Sequence, residues 1–167
     1  KMYLDKDSIQ KVLFSQMGLD RIKNQIKTEK NSYPSVYRRV DDSYELLSNL
    51  SYSEEAYQVT TLSGDTENYK ILYDPVDQRV ICLRCSATDP QRFRTFVETL
   101  LPVCCPEAYL TAEEIADLQK QMEESKEGRY IQVNLHSWLS VMGSVNESQE
   151  TIEYSVAIAA SNDGILY

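Results

Sequence analysis

The sequence predicts an α+β fold, an antiparallel sheet of about five strands packed against helices, with two further helices at the N-terminus. Three observations carry this expectation. Apolar residues recur at three- and four-residue steps near the N-terminus and again over 90–125. They alternate with polar residues over 57–86 and again over 131–158. The two patterns occupy separate stretches, which argues for helices laid on one sheet face rather than a βαβ succession.

In chain order, Ile9, Val12, Leu13, Met17 and Ile26 mark a first helix, with Asp7 and Gln10 as a capping pair at its start. Gly18 weakens its middle. After Asn31, Ser32 and Pro34, a second helix over about 35–50 places Val36, Val40, Tyr44, Leu47 and Leu50 near one face. A three-strand meander follows. Tyr57, Val59 and Thr61 alternate with polar neighbours, as do Tyr69, Ile71 and Tyr73, and then Ile81, Leu83 and Cys85. Ser63-Gly64-Asp65 and Asp74-Pro75-Val76-Asp77 are the turns, Pro supplying the φ that a type I turn needs.

Asp89-Pro90 opens a helix whose stripe is Phe93, Phe96, Val97, Leu100 and Leu101, and Pro102 and Pro106 are expected to stop it. That stripe is expected to pack on Ile81, Leu83, Leu135 and Val156. Thr111 and Glu114 form a capping box before Ile115, Leu118 and Met122, and Gly128 ends that helix. Two closing strands form a C-terminal hairpin. Ile131, Val133, Leu135, Leu139 and Val141 share a face of the first, and Ile152, Tyr154, Val156 and Ile158 a face of the second.

At 167 residues, with 42% hydrophobic content, one domain spanning 1–167 is expected, with a sub-boundary near 51–54 if there is one. The apolar fraction excludes a wholly disordered chain, and no run approaches the roughly 20 apolar residues that span a bilayer. Net charge is −9. Such a chain repels phosphate backbones, so nucleic acid is not an expected partner, nor is an anionic lipid surface. Local basic residues such as Lys23, Lys27 and Lys30, or Arg38 and Arg39, are interrupted or followed by acids.

Cys82, Cys85, Cys104 and Cys105 have the outline of a zinc module, but the second pair is adjacent and the first sits within a strand. If the helix after residue 90 runs back along the strand before it, Cys104 comes level with Cys82 on the wrong face. Cys85 is then on the right face but roughly 10 Å too far along for a disulfide. Buried free thiols are the expectation, with no metal and no cofactor. His136 is the only histidine, no G-x-S-x-G elbow surrounds Ser137 or Ser140, and no phosphate-binding or dinucleotide glycine pattern occurs. No catalytic residue is therefore assigned. Paired carboxylates (Asp41-Asp42, Glu54-Glu55, Glu113-Glu114, Glu123-Glu124) leave one enzymatic alternative, a hydrolase- or lyase-like site, if two converge in a cleft.

Twelve tyrosines beside three phenylalanines are the unusual feature, since Tyr suits half-buried sheet faces and contact surfaces. Alternation sends Trp138, His136, Tyr130 and Asn134 to the face opposite Ile131 and Leu139. Two outcomes are open for that face. It is an aromatic binding surface for a protein or glycan, or the N-terminal helices fold over it. The leading expectation is a noncatalytic binding module. The start at Lys1-Met2 and the acidic, Ser/Tyr-rich composition favour an extracellular or cell-surface setting over a cytoplasmic one, and the cysteines argue the other way.

Overall fold

The structure is a computed structural model that describes residues 5–19, 26–33, 36–40, 43–48, 52–60, 64–104, 110–125, 129–134, 137–146 and 151–160. Its elements are helix α1 (Lys6–Gln16), strands β1 (Ile26–Tyr33), β2 (Val36–Val40), β3 (Ser43–Ser48), β4 (Tyr52–Thr60), β5 (Thr66–Tyr73) and β6 (Val80–Ala87), helices α2 (Pro90–Cys104) and α3 (Ala112–Ser125), and strands β7 (Arg129–Asn134), β8 (Ser137–Asn146) and β9 (Thr151–Ala160). Among the described residues the main sheet has seven strands in the order β1-β4-β5-β6-β9-β8-β7, every pair antiparallel. β2 and β3 pair with each other. The expected α+β architecture is present.

The local chemistry explains most boundaries. Asp5 caps α1, its Oδ1 accepting from the Ser8 amide at 2.7 Å, two residues before the expected start. α1 stops at Gln16 because Gly18 follows with φ +74, the left-handed geometry that closes a helix C-terminus. Between β5 and β6 the Asp74 carboxylate accepts from the Val76 amide and Asp77 from the Arg79 amide, which fixes the turn. The start of α1 is pinned to this turn. Asp5 bridges Arg79, and the Lys6 amide donates to the Gln78 carbonyl at 2.8 Å.

Both downstream helices begin as their caps direct. The Gln91 amide donates to Asp89 Oδ1, and Thr111 and Glu114 exchange reciprocal bonds of 3.1 Å. α2 runs through Pro102 to Cys104, where a stop was expected at the proline. A proline this close to the helix end removes only one backbone donor, and the buried Leu101 and Cys104 keep the last turn on the core.

All three helices share one core with the sheet. Ile9 and Leu13 of α1, Phe93, Phe96, Val97 and Leu100 of α2, and Ile115, Leu118 and Met122 of α3 pack with Tyr57, Tyr69, Ile71, Leu83, Val156 and Ile158. The register carries an apolar row across the sheet, from Ile71 to Leu83, Ile158, Leu139 and Ile131.

Four expectations change. Residues expected to form the second N-terminal helix form β2 and β3 instead, and Ile26 belongs to β1 rather than to the first helix. Spacing alone does not separate these cases, because a short apolar run fits both periods until a pairing partner decides. The strand expected over 131–141 is two antiparallel strands, with Ile131 opposite Leu139. Those changes raise the count from about five. Finally, Ile81 leaves the α2 stripe. A register shift between Leu72 and Tyr73 makes it the extra residue of a bulge, and it packs with Leu72, Cys82 and Ala157. Leu135, also expected under α2, lies outside the described residues.

Phe96 is 1% exposed at the centre of the core. Phe96→Ala should lower unfolding stability by about 3–5 kcal/mol in urea melts. A loss below about 1 kcal/mol would contradict this packing.

Candidate functional site

On the helix side, charged groups have been drawn under the helices. Glu67 is buried in β5, in phase with Tyr69 and Ile71. Its Oε1 stands 3.0 Å from Arg92 Nε, and its Oε2 accepts from the Tyr69 hydroxyl at 2.7 Å. Arg92 Nη2 donates to the same hydroxyl at 2.9 Å and to the Met17 carbonyl at 2.8 Å. One guanidinium thus ties β5, α2 and the end of α1 together. Glu55, also buried, lies 3.3 Å from Lys6 Nζ of α1 and 3.2 Å from Lys30 Nζ of β1. Nearby, Gln10 donates to the Tyr57 hydroxyl, and Phe14 meets the Tyr57 ring edge-on at 5.2 Å. A depression of about 380 Å³ lined by Gln10, Lys11, Phe14 and Ser15 runs along α1.

These groups are held rather than poised. Burial pushes the Tyr69 and Tyr57 hydroxyls well above the usual phenol range. Burial also raises the Cys82 thiol to about 11. The Cys85 thiol rises to about 12 for the same reason, with the Glu67 charge adding to the effect. Thiols so protonated are inert as nucleophiles at neutral pH. Cys82 and Cys85 carry no disulfide, and Cys104 is buried in the core. Cys105 lies outside the described residues. Among the described residues no group of three or more His, Cys, Asp or Glu could hold a metal ion.

The other side of the sheet is organised in cross-strand rows. Ala56, Lys70, Arg84, Ala157, Ser140 and Tyr130 follow one another in register. The next row runs through Glu54, Leu72, Cys82, Ala159, Trp138 and Gln132. Leu72, Cys82 and Ala157 form a small buried cluster with Tyr52 and Ile81. Lys70 and Arg84 stand directly opposite each other, an unfavourable placement for like charges. Glu54, diagonal to Lys70, offsets it with a 3.1 Å ion pair, while 43% of the Lys70 side chain stays exposed. Towards the far end of these strands, Ser86 shares hydrogen bonds with Ser155 and Glu153.

Of the residues expected to form a site, Trp138 and Tyr130 therefore occupy adjacent rows of β8 and β7. Asn134 pairs with Ser137 after a register shift that follows Gln132, so it is out of phase with Trp138. His136 lies outside the described residues. α1 does not fold over this side, since Ile9, Leu13 and Met17 belong to the opposite core.

Among the described residues the acidic pairs do not converge. Glu54 and Glu55 are consecutive in β4 and pair with Lys70 and with Lys6 and Lys30, on opposite sides of the sheet. Glu114 is spent on the α3 cap. Glu123 accepts from the Tyr154 hydroxyl at 2.5 Å, a bond that holds its carboxyl below the usual range, and Glu124 reaches Lys120 at 4.0 Å. Asp41 and Asp42 lie outside the described residues.

Glu67 and Arg92 were absent from the sequence expectation, and Glu55 entered it only as half of an acidic pair, although a signal existed. Glu55 is in phase with Tyr57 and Val59, and Glu67 with Tyr69 and Ile71, so each acid occupies a core position of its strand. A charge in the apolar phase requires a buried partner. No family model, no curated protein and no solved structure matches this chain.

Arg92→Ala leaves Glu67 buried against the core, and should cost about 3–5 kcal/mol in urea melts. Replacing both residues by methionine should recover most of that loss, and failure to recover would show that the pair is not the cause. Stability should also respond to alkali. The raised thiols and phenols stabilise the fold in their neutral forms, so their contribution is intact below about pH 8.5, where unfolded thiols begin to ionise. It should fall as pH rises through the folded values of about 11 and 12. Urea midpoints measured from pH 7 to pH 11 should be flat at first and then decline. A midpoint that rises with alkali would contradict the assignment.

Proposed function

We propose that this chain is a noncatalytic interaction module that engages a protein partner through the side of the sheet away from its helices. The observation that carries the reading is the register of that side. It brings Tyr130 into one row with Lys70 and Arg84, and Trp138 into the next with Leu72 and Cys82. Aromatic residues that share a sheet side with cations and an apolar seam, separated from them only by the small residues Ala157, Ser140 and Ala159, are the composition in which contact hot spots are found. Supporting it over a carboxylate-pair enzyme, Glu54 and Glu55 are separated by the sheet, and Glu123 is committed to Tyr154.

On this reading Trp138 is the centre of the surface, with Tyr130 on the adjacent row and Asn134 in the same hairpin. A glycan is the other ligand class that such a surface could take. Binding of a glycan panel with no protein captured would replace the protein partner by a carbohydrate.

Trp138 is the only tryptophan of the chain, so its emission reports on this surface alone. Red-shifted emission with efficient acrylamide quenching in the native protein is the expected result. Blue-shifted emission protected from acrylamide would show a buried indole and overturn the proposal.

A further inference from the structure

We draw no further inference here: the strongest candidate, the outer edge of β7, which no described strand pairs, is flat only over Tyr130–Gln132 between Arg129 and the register shift before Asn134, and nothing in the structure shows what covers it.

Discussion

The contact on which the arrangement depends is the one between Arg92 and Glu67. A carboxylate taken out of water beneath two helices is tolerated only with a cation and hydrogen bonds on its remaining lone pairs. Arg92 meets the first need and the Tyr69 hydroxyl the second. Because the same guanidinium also reaches the Met17 carbonyl, it satisfies a backbone acceptor at the end of α1, where helices leave carbonyls without internal partners. Apolar packing alone allows helices to slide over a sheet. A planar fork with fixed donor directions does not, so Arg92 sets where α1 and α2 sit along β5.

A second ionic group works at the sheet margin. The apolar row that crosses from Ile131 to Ile71 ends at Glu55, and Lys30 of the neighbouring edge strand stands opposite. Lys6 closes over Glu55 from α1 and lies 5.4 Å from the Tyr73 ring centroid. The core is thus apolar under α3 and along the α2 stripe from Phe93 to Leu101, and turns ionic towards α1, where Arg92 meets Glu67 and Lys6 meets Glu55. The two sides of the sheet differ in kind. One is a continuous core beneath helices, and the other combines a small apolar seam with Lys70, Arg84 and hydroxyl groups.

Local chemistry was legible in the sequence wherever it is decided within a few residues. Asp89-Pro90 and Thr111 to Glu114 start helices where the side-chain bonds require, and the alternation over 66–73 and 80–87 marks strands. What escaped is decided by partners far along the chain. Val36 and Val40 fit a helical face as well as a strand, and only their pairing with β3 settles the period. Ile81 obeys simple alternation until a bulge opposite Leu72 and Tyr73 shifts it. The candidate surface was legible as a phase in β8 around Trp138. The residues that share its rows, Lys70, Arg84, Leu72 and Cys82, were not, because the rows exist only through the order of strands.

The attachment of α1 has a consequence for the order of folding. Its tethers reach Tyr57, 47 residues away, and Arg92, 75 residues away from Met17, with the β5–β6 turn also engaged. Helix α1 is short, and an isolated helix of that length is marginal in water. It therefore has no stable seat until β4, β5 and α2 have formed. Closing such long loops makes its docking a non-local and hence late event, although its residues are the first of the elements to be synthesised. The first of the described helices is thus placed on a core that others have built, and the β-meander with α2 is the template that receives it.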